Sequence, residues 1–249
     1  KDGGRTVLIS GCIDTQKVHI SSAIASGYKY MLIVTSDEAK ARKMCDDASF
    51  FNKEAIYYPA KDAIFYSADV HGNQITGERL RCISRIINHS STGEGVLTVV
   101  TTMDGIADRL IPVERFKEAV ITLDYSSEIE PEKLAKKLVA MGFVRTGMVE
   151  DKGQFAIRGG IIDIFSYTDE APVRIELWDT EVDSIRMFDA ESQRSIERLQ
   201  SYSIFPATEY IFTEDELKNG LYNIKEECDR QLECFDYGKR KRTKEQIEA

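Results

Sequence analysis

The sequence predicts an α/β protein: a degenerate P-loop NTPase-like parallel α/β domain together with a small antiparallel-sheet α+β domain. Two observations predict it. RTVLISG, YMLIVTS and VLTVVTT are near-continuous apolar runs of strand length, each followed by residues at helical spacing, which is the pattern of parallel strands buried on both faces. From Phe143 to Asp189 the pattern changes to β-branched runs (FAIRGGIIDIF, VRIELW, VDSIRMF) separated by turn-prone or acidic stretches, which calls for hairpin or meander connections. The 249 residues suffice for two domains.

The first run leads into Gly11-Cys12-Ile13-Asp14-Thr15-Gln16-Lys17-Val18, where glycines could let backbone amides wrap a phosphate. Against G-x-x-x-x-G-K-(S/T), Gly11 and Lys17 align, Gln16 replaces the second glycine, and Val18 replaces the hydroxyl that would hold magnesium. Gln16 brings a side chain where the backbone must fold tightly, Val18 cannot ligate a metal, and Asp14 sets a negative charge beside the expected phosphates. The segment therefore reads as a degenerate phosphate loop or an ordinary strand-to-helix turn. Asp104, beyond VVTTM, is the one acid near that strand end. Tyr57 and Tyr58 read as core and rim, and Arg79, Arg81 and Arg85 as solvated helix charges, because base stacking needs a basic groove around it.

A proline in RLIPVERF and a change of pattern place the end of the first domain near Leu110, giving 1–110. PEKLAKKLVAMGF carries apolar residues at helical spacing and belongs with the antiparallel sheet in a second domain, 111–205, with its exit at Phe205-Pro206. Residues 206–249 form the remainder. Thr213-Glu214-Asp215-Glu216 is a helix start with acids at the positive dipole end. A long charged helix is expected from there to Ala249, with its KRKRTK run as a solvated face; contact of that run with DNA is the alternative.

In AIRGG and VRIEL, charges alternate with apolar residues. A period of two puts Arg174 and Glu176 on one face and Val173, Ile175 and Leu177 on the other. The polar face is either solvated or a docking surface. Planar guanidinium groups favour the latter, since they make bidentate bonds to carboxylates and are enriched at interfaces. Trp178, the single tryptophan, is either an anchor or a core residue on the opposite face.

With 42 acidic and 33 basic residues the net charge is −9, which argues against a dedicated DNA-binding surface. Five cysteines, an odd number without a C-x-x-C pair, and the lack of an apolar span or secretory signal predict a reduced, cytoplasmic protein. His19, His71 and His89 lack metal-ligand spacing, so neither a catalytic nor a metal site is expected.

The order IRGGIIDIF, VRIELWDTEVDSIR, MFDAESQRS, from about Phe143 to Ile196, resembles the small domain shared by UvrB and the transcription-repair coupling factors (Mfd). Ser166 stands where that family often has proline, and Leu177 where it often has an aromatic. The resemblance implies that UvrA binds here through Arg145, Arg158, Arg174 and Glu176. It also implies that the domain is inserted into the first one. UvrB keeps a working phosphate loop, whereas in the coupling factors this site has decayed, so residues 11–18 favour the latter, as does YPAKDAIFYSADVHGNQITGERLRCISRI. The implied role is a monomeric fragment recruiting UvrA to lesion-stalled RNA polymerase for nucleotide excision repair. ATP, magnesium, DNA translocation and contacts with RNA polymerase and DNA would belong to other parts of the full-length protein, and no cofactor is expected here. The alternatives are a fragment of a UvrB-type excinuclease subunit and a nucleic-acid-binding module.

Overall fold

A computed structural model describes residues 6–61, 70–92 and 95–233. The chain divides into two compact units, residues 1–209 and 210–249. The first unit opens with α1 (Asp14–Ala25), β1 (Tyr30–Thr35), α2 (Glu38–Phe51), β2 (Ala55–Tyr58), α3 (Val70–Thr92), β3 (Leu97–Thr102), α4 (Met103–Ala107) and α5 (Val113–Ala119). The three strands form a parallel sheet in the order β1-β3-β2. Central β3, LTVVTT, is buried almost throughout, as a strand covered on both faces requires. Helix α2 starts at Asp37, whose side chain accepts the Lys40 N–H at 2.9 Å. It packs Ala41, Met44 and Ala48 against Val18 and Val100.

Over its described residues, the expected strand RTVLISG does not form. Residues 6–10 have no ladder partner, and Val7 and Leu8 lie exposed. A strand needs a neighbour for its N–H and C=O groups, and apolar content does not supply one.

The antiparallel part comprises β4 (Ile121–Asp124), α6 (Pro131–Ala140), β5 (Val144–Arg145), β6 (Gln154–Arg158), β7 (Ile161–Phe165), β8 (Val173–Trp178), β9 (Glu181–Phe188), β10 (Ser195–Arg198) and β11 (Ser201–Ile204). Six of these strands make one sheet in the order β10-β9-β8-β7-β6-β5, antiparallel from β6 to β10. The run FAIRGGIIDIF is two strands rather than one, folded back at Gly159-Gly160. Gly159 takes φ +62°, and a Cβ on Gly160 would lie 2.9 Å from the Leu177 carbonyl, so glycine suits both positions. One sheet face carries Phe155, Ile162, Ile164, Val173, Ile175 and Ile185. It buries them against Leu134, Ala135 and Leu138 of α6.

Strand β4 pairs antiparallel with β11, Ile121 opposite Ile204, so the chain enters and leaves this part side by side. Just beyond, Glu209 meets Arg79 of α3. Arg79 is fully buried, which corrects its reading as a solvated helix charge. Its Nε and Nη2 donate to the two carboxylate oxygens of Glu209 at 2.6 and 2.9 Å, and its Nη1 donates to the Pro59 carbonyl at 2.6 Å. Its guanidinium lies over Tyr58, 4.3 Å from the ring centroid. Burial works against the charge, and Glu209 outweighs it, so the Arg79 pKa is raised.

Tyr167, just after β7, is wedged between Gly77 of α3 and Gly153. A Cβ on either glycine would lie 2.9 Å from its ring. Gly153→Ala is expected to cost about 2 kcal/mol, combining the φ +81° backbone with overpacking. Urea unfolding of the two proteins side by side checks this.

In the second unit, α7 (Glu214–Glu233) begins with a reciprocal cap. The Glu216 N–H donates to Thr213 Oγ1 at 3.2 Å and the Thr213 N–H donates to Glu216 Oε2 at 2.9 Å. The KRKRTK run falls outside the described residues. Among those described, no helix is long and apolar enough to cross a membrane.

Candidate protein-docking face

The sheet face away from α6 carries the charges. Its centre is Asp163, which lies opposite Arg174 in the β7–β8 register and is 1% exposed. Asp163 Oδ1 accepts from Arg174 Nε at 2.7 Å. Its Oδ2 accepts from Arg174 Nη2 at 2.9 Å and from Arg158 Nη2 at 2.7 Å. One carboxylate thus fixes two arginines from neighbouring strands. The bonds to Asp163, only partly opposed by burial, raise the Arg174 pKa.

Arg174 is held on two further sides. Its guanidinium lies 4.3 Å from the Phe188 ring centroid. Its Nη2 also donates to Gln193 Oε1 at 2.8 Å. The FDAESQ run explains that last contact: Asp189 Oδ1 accepts from the Ser192 N–H and hydroxyl at 2.8 and 2.7 Å, and the resulting turn puts Gln193, at φ +59°, beside Arg174. Those same bonds hold the Asp189 carboxyl below its ordinary pKa.

Glu176 lies two residues along β8 on the same face. It accepts from Ser184 Oγ at 2.8 Å and from Arg186 of β9. Arg158 differs from Arg174 in spending a single amino group on Asp163 while 45% of its side chain stays exposed. That exposure leaves donors of its guanidinium beyond the one bonded to Asp163 for an acceptor on a partner.

The structure therefore brings Arg158, Arg174 and Glu176 onto one surface. Arg145 stands apart on β5, where it pairs in register with Phe155 and reaches Glu132 of α6 at 3.3 Å. Sequence reasoning missed Asp163, Gln193 and Arg186. Alternation in GIIDIF and DSIRMF was a signal for Asp163 and Arg186. Nothing local pointed to Gln193, because its place depends on the turn. Trp178 is neither buried nor on the core face: it ends β8 on the side of Arg174 and Glu176, 80% exposed.

The candidate phosphate-loop residues engage one another locally. Gln16 Oε1 accepts the Ile13 N–H at 3.2 Å, Lys17 Nζ is 2.9 Å from Asp14 Oδ1, and Val18 is buried in the core. Gly11 takes φ +81° with nothing near its Cβ position. The Asp14 carboxyl sits below its ordinary pKa, held there first by its hydrogen bond with Lys17. No group of residues suited to a metal ion occurs among the described residues.

Residues 121–210 match the family model described as the UvrB interaction domain. The chain is 37% identical over 226 residues to the transcription-repair-coupling factor of Bacillus subtilis (strain 168), covering 90% of this chain and 19% of that protein. It is 33% identical over 240 residues to the protein of the same name from Staphylococcus aureus (strain Mu50), covering 92% and 20%. The Staphylococcus haemolyticus protein (strain JCSC1435) is 32% identical over 253 residues, covering 99% and 21%. The chain thus spans about a fifth of the length of the curated relatives it matches.

Proposed function

The chain belongs to the transcription-repair-coupling factor family, and from that premise we propose that its antiparallel sheet is a docking surface that captures UvrA for nucleotide excision repair, as the matching domain of UvrB would. The observation that carries this reading is the pair of arginines anchored on Asp163, one held by Asp163, Phe188 and Gln193 and the other with nearly half of its side chain exposed. A carboxylate-bearing partner meets a surface whose geometry is already set, so little side-chain freedom is lost on binding. Glu176 and Arg186 extend the polar surface along β8 and β9.

The first domain acts as a support in this proposal. Residues 11–18 read as a phosphate loop that no longer serves a nucleotide: Lys17 is occupied by Asp14, and Val18 is spent on the core. ATP-driven translocation on DNA and release of RNA polymerase are assigned to the rest of a protein about five times this length, which would deliver the docking surface to the place where transcription has stopped.

Calorimetry with purified UvrA tests the proposal, with Arg158→Ala and Arg174→Ala in parallel and circular dichroism to confirm folding. The unaltered chain is expected to bind, and each variant to lose on the order of 2 kcal/mol or more, as truncation of an interfacial hot spot does. Absence of binding by the unaltered chain overturns the proposal, and undiminished binding by both folded variants misplaces the surface.

A further inference from the structure

A cleft of about 420 Å³ opens where α3 passes the loops at one end of the antiparallel sheet, a size that suits a small molecule. Helix α3 gives it Arg81, Cys82 and Arg85. The loop between β5 and β6 gives it Lys152, and the loop between β7 and β8 gives it Asp169 and Glu170. Ile56 and Tyr57 of β2 form its apolar side.

The cations of the cleft differ in what they hold. Arg42 is bonded to Glu38 and Glu78, and Arg85 to Glu54. Arg81 and Lys152 have no carboxylate partner among the described residues. Arg81 Nε donates to the Gly77 carbonyl at 3.3 Å, and Lys152 Nζ donates to the backbone carbonyl of Asp169. Burial, and after it the neighbouring Arg81 charge, holds the Lys152 pKa below its ordinary value against the pull of Asp169 and Glu170. The acids are mostly engaged elsewhere: Glu78 by Arg42, and Asp169 by the hydroxyls of Tyr202 and Thr168 at 2.6 and 3.0 Å. Glu170 is exposed and is the one lining acid without a bond among the described residues. Two unpaired cations side by side repel each other until an anion joins them.

We infer that this cleft binds a phosphate group, with Arg81 offering its planar fork and Lys152 a point charge, the two ways in which side chains hold phosphate. A phosphate monoester carries close to two negative charges at neutral pH, which matches the two unpaired cations; a carboxylate would leave one of them without its counter-charge. Ile56 and Tyr57 give the organic part of such a monoester, a nucleotide for example, an apolar wall to lie against. The phosphate comes from the free ion or from a monoester of this size. Since α3 packs on the parallel sheet and Lys152 belongs to the antiparallel part, the ligand ties the two parts together. UvrA takes no part in this site, so it stands or falls independently of the docking surface.

Titration of the whole chain with inorganic phosphate, AMP and adenosine, read by calorimetry and by melting temperature, tests the inference. AMP is expected to bind, to raise the melting temperature, and to bind less tightly as salt rises; adenosine is expected to do neither. Equal affinity for inorganic phosphate identifies the free ion as the ligand, and tighter binding of AMP identifies a monoester. Arg81→Gln and Lys152→Met are each expected to weaken binding at least about tenfold, the loss of one charge-assisted bond. Glu170→Gln, which removes the unpaired acid, is expected to strengthen it. Circular dichroism checks that each variant is folded; if Lys152→Met unfolds on losing its bond to the Asp169 carbonyl, Arg81→Gln and Glu170→Gln decide. Absence of binding by both phosphate and AMP at millimolar concentration overturns the inference, and so does binding that the folded cation variants leave undiminished.

Discussion

Arg79→Ala is expected to lower the unfolding free energy by about 3 to 5 kcal/mol, the cost of removing one partner from a buried ion pair. The variant strips Glu209, 6% exposed, of both guanidinium bonds. It also leaves the Pro59 carbonyl without its donor and uncovers Tyr58. Lys61 Nζ, 3.2 Å from Glu209, offsets part of the loss and keeps the estimate from going higher. The loss is a large fraction of a typical domain's stability, so chemical unfolding at 25 °C reads it directly. Replacing Arg79 by Met and Glu209 by Leu together is expected to cost less than Arg79→Ala alone, because the buried Glu209 carboxylate is then no longer left without its partner and only the more exposed Asp108, 3.3 Å from Arg79 Nη1, loses its ion pair. A double variant as unstable as the sum of the two single ones would show that the pair is not coupled. Arg79 joins α3 to the segment that leaves the antiparallel sheet. Loosening this contact is therefore expected to free the docking part from its support before the core of either sheet melts.

Asp163→Asn has the second largest expected effect, and it acts on stability and binding together. The amide keeps the shape of the carboxylate and loses its charge, leaving Arg158 and Arg174 facing each other across neutral ground. The stability cost is expected to be about 2 to 3 kcal/mol. That lies just below the range for a fully buried pair, since both arginines keep some access to water. UvrA affinity is expected to fall by at least the amount lost in Arg158→Ala, although Asp163 is too deeply buried to touch a partner. Calorimetry checks binding and urea unfolding checks stability. Binding that survives intact in a folded Asp163→Asn protein would mean that the two arginines need no fixed geometry to dock.

Much of this surface was legible in the sequence, because strand alternation is written in residues two apart. VRIEL placed Arg174 and Glu176 opposite the core, and PEKLAKKLVA gave the helix that covers the core side. The helix start at Thr213 was equally local, needing only Glu216 three residues on. Order along the chain also carried the family resemblance, since FDAESQ and VRIEL are the pieces that meet around Arg174.

What remained hidden depended on partners far away in the sequence. Arg79 reads as an ordinary exposed helix charge until Glu209, 130 residues later, folds back onto it. RTVLISG has the composition of a buried strand, and stays unpaired because pairing is decided by which backbone comes alongside. IRGGI reads as the interior of one strand until Gly159, at φ +62°, turns the chain back. Trp178 could have faced either way. The sequence by itself determined which residues alternate, cap and lie on one face, since those depend on neighbours within a helical turn or a strand pleat. Only the tertiary structure decided which charges are buried together and which apolar group is left to water, because both are set by contacts between segments that the chain separates.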